Sequence, residues 1–202
     1  GFARSGPRAY LAAVGGFRAA AVLGSISTQV REGLGGLDQQ GGKLLADDLL
    51  ACTAADLPGA ASVPWLYQPN YRRTPLLRVI TGGDAVEFAE DQLQAFFEQS
   101  WQLSAQSDRM GARLQGVALQ APSRQWSLGV SRGAIQVPPD GQPIILQADH
   151  QTMGGYPILG WLHPLDLWRL AQSPARQALR FTPVSISDAQ AELREFYRFF
   201  GR

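Results

Sequence analysis

Residues 133–148 constrain the fold of this chain more than any other stretch. Two apolar runs, Gly-Ala-Ile-Gln-Val and Pro-Ile-Ile-Leu-Gln-Ala, lie on either side of Pro138-Pro139-Asp140-Gly141, with Gln142 after the glycine. Proline presets φ, aspartate bonds its own backbone, and glycine accepts φ > 0, so these residues predict a tight turn. The flanking runs are then the two strands of a β-hairpin.

Runs of similar length recur along the chain. Residues 9–14, 76–80, 113–114, 126–130 and 179–184 read as strands, and 44–50 as a strand or turn. Helical spacing shows in three places. Leu93, Phe96 and Phe97 share one face of a helix over 90–98, and Pro164 opens a short helix to Leu170. Leu193, Phe196, Tyr197 and Phe200 form the apolar face of a terminal helix, read as core, with Ser187 and Gln190 as its capping box. The 22 Gly and 13 Pro of the 202 residues suit short strands and turns. The expected class is mostly β with a few peripheral helices. Residues 24–42 read as a loop. Residues 53–64, rich in Pro, Ala, Gly and Ser, read as a linker that divides the chain into 1–60 and 61–202.

Several function classes are disfavoured. A net charge of +1 gives no electrostatic case for nucleic acid or a membrane surface. No apolar run reaches membrane-spanning length. The single Cys52 allows no internal disulfide and fits a cytoplasmic home, and with two histidines it makes a metal site improbable. There is no phosphate-binding Gly-rich loop ending in Lys-Ser/Thr, no H-E-x-x-H, no paired C-x-x-C and no G-x-S-x-G. Lys43 is the sole lysine. The five tryptophans (65, 101, 126, 161 and 168) read as core or as contacts between subunits. The chain opens at Gly1-Phe2 without an initiator Met and is expected to be a fragment lacking an N-terminal part.

Two segments carry the chemistry. Ser107-Asp108-Arg109-Met110-Gly111-Ala112-Arg113-Leu114 places two arginines four residues apart around a glycine. Two guanidinium forks could grip one carboxylate or phosphate, or pair with neighbouring side chains. Ala148-Asp149-His150-Gln151-Thr152-Met153-Gly154-Gly155-Tyr156-Pro157 leaves the hairpin and enters a Gly-Gly turn. Asp149 could serve as a base or hold a substrate N–H, and His150 could titrate near neutral pH. The same residues also suit a polar turn in which Asp149 caps backbone amides.

In this order and spacing, these segments and residues 133–146 resemble the C subunit of prokaryotic 5-oxoprolinase. That family is related to the sporulation regulator KipA and to allophanate hydrolase subunit 2, and is biotin-dependent-carboxyltransferase-like. Arg8-Ala9-Tyr10-Leu11-Ala12 and Leu23-Gly24-Ser25-x-Ser27-Thr28 also match. The resemblance implies a cyclophilin-like β-barrel over 61–202, with 1–60 the remainder of a β-rich N-terminal subdomain. It implies a B subunit as partner, a separate A subunit, and ATP-dependent activation of 5-oxoproline for ring opening to glutamate, with ATP shared with the partner. A cousin branch moves a carboxyl group from biotin to urea, with an acidic residue at the position of Asp149. No biotin-acceptor lysine motif occurs here, so biotin would arrive on a separate carrier. The other alternative is a KipA-like protein that binds a kinase inhibitor.

The resemblance carries the site onto Asp149 and Arg109 as catalytic residues. It also implies that Arg113, Gln136, Gln151, Thr152, Gly154, Gly155 and Tyr156 bind substrate. Arg109 and Arg113 would hold an anion, Asp149 the lactam N–H or a proton, and the Gly154-Gly155 amides an oxyanion. The sequence departs from the family at Ala112, His150, Met153 and Ile158, where Tyr, Arg, Thr and Lys are usual, which bears on the exact substrate.

Overall fold

A computed structural model describes residues 6–56, 59, 62–63, 68, 70–71 and 73–199. The chain forms two compact units, residues 10–68 and residues 1–9 with 69–202. The expected division at residues 60–61 lies outside the described residues, as do Trp65 and Phe200.

The larger unit is a closed barrel. Its strands are β1 (Leu76–Thr81), β2 (Trp101–Leu103), β3 (Gly111–Gln115), β5 (Ala134–Gln136), β6 (Ile144–Leu146), β8 (Ile158–Leu162) and β9 (Ala178–Pro183), in the order β1-β8-β5-β6-β3-β2-β9. A parallel β1–β9 pairing closes it, and the other neighbours are antiparallel. Closure leaves no unpaired sheet edge in this layer. β4 (Leu128–Gly129) and β7 (Met153–Gly154) pair as a separate ribbon.

The barrel interior follows from period-two alternation. Leu77, Val79, Ala112, Leu114, Ile135, Ile145, Leu159, Leu179 and Phe181 point into one buried cluster. Helix α1 (Glu90–Glu98) adds Phe96, which stacks on Phe181 at 4.9 Å. Trp101 is fully buried and its Nε1 donates to Phe96 O at 2.9 Å, so its one polar atom is satisfied.

The hairpin forms as its sequence predicts, with β5 and β6 antiparallel and Gly141 at φ 72° closing the turn through its N–H to Pro138 O. Helix α1 and strand β1 match their expected positions, and α2 (Leu167–Ala171) follows a short 3-10 turn opened by Pro164. Other expectations need correction. Residues 9–14 form no strand; they lie largely exposed and lack a partner ladder. Residues 126–130 keep only the two residues of β4, while 44–50, read as a strand or turn, contain a turn. Strands β2 and β8 escaped the reading, because β2 is three residues long and Gly160 interrupts the apolar pattern of β8.

The terminal helix α3 (Ile186–Phe199) starts earlier than expected. Its cap is Ser185, whose Oγ accepts from Asp188 N at 3.1 Å, rather than Ser187 with Gln190. Its aromatic face is not core. Phe196 is half-buried against Trp168 at 5.1 Å, while Tyr197 and Phe199 are exposed and Ala189 is the buried residue. Trp126 is also exposed.

The unit of residues 10–68 contains isolated β-bridges, Phe17 with Cys52 and Gln29 with Leu34 among them. Many of its apolar side chains are exposed, including Tyr10, Leu23 and Leu49. No helix among the described residues is long and apolar enough to cross a membrane.

Candidate functional site

The β3–β6 ladder brings the two chemical segments together. Gly111 pairs with Leu146, and the pairing continues past the strands through Gln147 N to Met110 O (3.0 Å) and Asp149 N to Arg109 O (2.8 Å). Gly111 permits this approach, since a Cβ there would sit 2.7 Å from Ile144 Cγ2. Asp108 shapes the turn: its Oδ1 accepts from Met110 N and Gly111 N at 2.8 and 3.0 Å.

Arg109 and Asp149, 40 residues apart in sequence, thereby face each other as a bidentate pair. Arg109 Nε donates to Asp149 Oδ2 at 2.6 Å and Nη2 to Oδ1 at 2.8 Å. The Arg109 hydrogen bonds hold the Asp149 carboxyl below its usual range; burial opposes this, and the charges of Arg109 and Arg8 reinforce it. A carboxylate so held is a weak proton acceptor, and both its oxygens are engaged. Of the roles read from sequence, this geometry suits binding and positioning better than general-base work.

Arg113 does not join this pair. It alternates with buried Ala112 and Leu114 and points outward from β3. Gln136 and Gln151 meet elsewhere, Gln151 Nε2 donating to Gln136 Oε1 at 3.3 Å. Gln136 is buried, its Nε2 has no acceptor among the described residues, and a Cβ on Gly154 would crowd that nitrogen. Thr152 is exposed, and its carbonyl accepts from Val130 N. His150 Nδ1 lies 2.6 Å from Gln151 O.

Gly155 and Tyr156 line a different recess, of about 450 Å³, with Arg124 and three prolines. Sequence reading missed Arg124. Its side chain is buried and donates from Nη2 to Asp84 Oδ1 at 2.5 Å and from Nη1 to Tyr156 O at 3.3 Å, while Asp84 Oδ2 accepts from Ile158 N. A lone arginine in a polar loop gives no local signal of such a partner.

A second cavity, of about 280 Å³, is lined by Arg8, Ser104, Ser107, Asp108 and Gln147 among others. Asp108 and Gln147 are near neighbours in the chain of Arg109 and Asp149 respectively. Arg8 was also missed as a site residue, although it opens one of the family-like runs. Among the described residues no cluster of His, Cys, Asp and Glu could hold a metal ion.

Residues 1–183 match the family described as "Carboxyltransferase domain, subdomain A and B". The chain belongs to that family. It is 38% identical over 200 residues to the C subunit of 5-oxoprolinase from Escherichia coli, covering 96% of this chain and 62% of that protein. It is 36% identical over 199 residues to the C subunit of 5-oxoprolinase from Haemophilus influenzae, covering 95% of this chain and 60% of that one. The chain thus spans less than two thirds of these relatives. The solved urea carboxylase of Kluyveromyces lactis superposes with a TM-score of 0.75 at 25% identity, covering 96% of this chain and 19% of that protein. The carboxyltransferase-domain barrel therefore recurs in a much longer chain.

Proposed function

We propose that this carboxyltransferase-family chain is the C-subunit portion of an ATP-dependent 5-oxoprolinase. In this reading it acts with a B subunit, and with an A subunit that completes opening of the lactam to glutamate. The observation that carries the reading is the bidentate Arg109–Asp149 pair, formed where two family-like motifs meet, in a chain 38% identical to a 5-oxoprolinase C subunit. The pair and the adjoining cavity offer fixed charge for a small polar acid. ATP enters as a co-substrate shared with the B subunit, since the sequence has no standard phosphate loop of its own.

The test is ATP hydrolysis by the full-length protein mixed with its B subunit, with and without 5-oxoproline. Stimulation by 5-oxoproline that disappears in Asp149→Ala is the expected result. A stable complex without stimulated turnover defeats the reading.

A second reading is carboxyl transfer from biotin on a separate carrier, favoured by the superposition on urea carboxylase over 96% of the chain. Transfer of labelled carboxyl from a carboxybiotinyl carrier protein to urea, without any 5-oxoproline response, would replace the first reading with this one.

A further inference from the structure

The cavity beside the Arg109–Asp149 pair is lined by another arginine, Arg8, whose charge also acts on Asp149. Arg8 is fastened by its backbone: its N–H donates to Gln172 Oε1 at 3.0 Å, and Gln172 Nε2 donates to its carbonyl at 3.1 Å. Gly6, at φ 75°, packs so tightly on Gln172 that a Cβ would collide with Oε1. These contacts fix where the Arg8 side chain leaves the chain, and Arg8 is one of the residues that line the cavity. Among the described residues its guanidinium has no hydrogen-bond or ion-pair partner. Arg109, by contrast, has its fork on Asp149.

Asp108 supplies the complementary group. Its Oδ1 is committed to Met110 and Gly111, whereas its Oδ2 accepts no hydrogen bond from a described residue. The cavity lining thus includes an arginine, a side chain with five N–H donors, and an aspartate with one uncommitted carboxylate oxygen.

We propose that this cavity binds a small monocarboxylate that also carries an N–H or O–H donor. Arg8 takes the carboxylate and Asp108 Oδ2 takes the donor, while Arg109 and Asp149 hold the two turns in register. The charge balance selects a monoanion. Asp108 lines the cavity and Asp149 lies within reach of the Arg8 charge, so a dianion meets repulsion from both. A lactam acid such as 5-oxoproline has both features; the identity of the acid, though not the carboxylate site, rests on the 5-oxoprolinase reading.

The experiment follows the arginine Nε–H resonances of the whole chain during titration with lactate, 5-oxoproline and inorganic phosphate, in wild type, Arg8→Gln and Arg8→Lys. The expected result is that both carboxylates shift the Arg8 signal and phosphate binds more weakly than lactate. Arg8→Gln should weaken carboxylate binding about 10- to 100-fold, and Arg8→Lys should restore part of it. The backbone amide spectrum serves as the fold control. A response to lactate but not to 5-oxoproline leaves the carboxylate site standing and removes 5-oxoproline as its occupant. Silence of Arg8 towards both carboxylates, unchanged affinity in Arg8→Gln, or tighter binding of phosphate overturns the inference.

Discussion

Asp166 takes three hydrogen bonds from one residue, Arg78. Arg78 N and Nε both donate to Oδ2 at 2.8 Å, and Nη2 donates to Oδ1 at 2.8 Å. Asp166 is fully buried in the turn before α2, and Arg78 lies on β1 and also bonds Glu192 on α3. One arginine therefore ties a barrel strand to both C-terminal helical elements.

Because the Asp166 carboxylate is buried, removing it strands a partly buried guanidinium. Asp166→Ala should cost about 3–5 kcal/mol of stability. Glu192 is substantially exposed, and Glu192→Ala should cost under about 1 kcal/mol. Urea denaturation of both variants checks the contrast; equal losses would refute the view that burial decides it.

Stability should also fall on mild acidification, through His163. This histidine is fully buried, accepts from Leu165 N through Nδ1, and places Nε2 3.2 Å from Ala189 O. Burial first, then the Arg78 charge, depresses its pKa below the usual value, partly offset by Ala189 and Asp166. The unfolded chain then binds the proton more readily than the folded one. The His163 contribution is complete above about pH 6.5 and is lost as pH falls from there towards the lower folded value, at up to about 1.4 kcal/mol per pH unit. Thermal unfolding from about pH 7.5 to about pH 5 should show this slope. His163→Gln, which cannot titrate, should flatten it, and an unchanged slope in that variant would exclude His163 as the cause.

Gly160 is a packing requirement of β8. It pairs with Thr81 and Ile135, and a Cβ there would collide with Ile80 O and press on Thr81 Cα. These are backbone atoms, which cannot swing aside. Gly160→Ala should therefore destabilise by roughly 1–3 kcal/mol or more. Gly129→Ala is the control, since its Cβ meets nothing within 4 Å. A melting point unchanged in Gly160→Ala would show that the barrel yields at this position.

The same glycine explains part of what sequence reading could not see. Gly160 breaks the apolar run of β8, so periodicity does not mark the strand that joins β1 to β5. The hairpin at 133–148 was legible because its turn chemistry is local. Helix α1 was legible because Leu93, Phe96 and Phe97 follow its period. The aromatic face of α3 misled for a related reason: spacing reports amphipathicity, but not what covers the face. At the site, the motifs named Arg109 and Asp149, and only the β3–β6 register reveals that they bind each other. Arg124–Asp84 and the Arg8–Gln172 clamp join residues distant in sequence, with no local pattern to announce them.

The Arg109–Asp149 pair should matter far more for activity than for stability. The Arg109 side chain is 57% exposed, so breaking the pair should cost under about 1 kcal/mol and leave the melting point nearly unchanged. Its geometry nevertheless fixes the two turns that frame the cavity. Arg109→Gln and Asp149→Asn should each lower kcat/KM by at least about tenfold in the assembled enzyme, a loss of about 1.4 kcal/mol in transition-state stabilisation. Since each residue acts through the other, the double variant should be little worse than the weaker single one. The cycle is read from kcat/KM of the three variants with the B subunit present. Fully additive losses would mean that the two side chains act separately on the substrate rather than as one positioning pair.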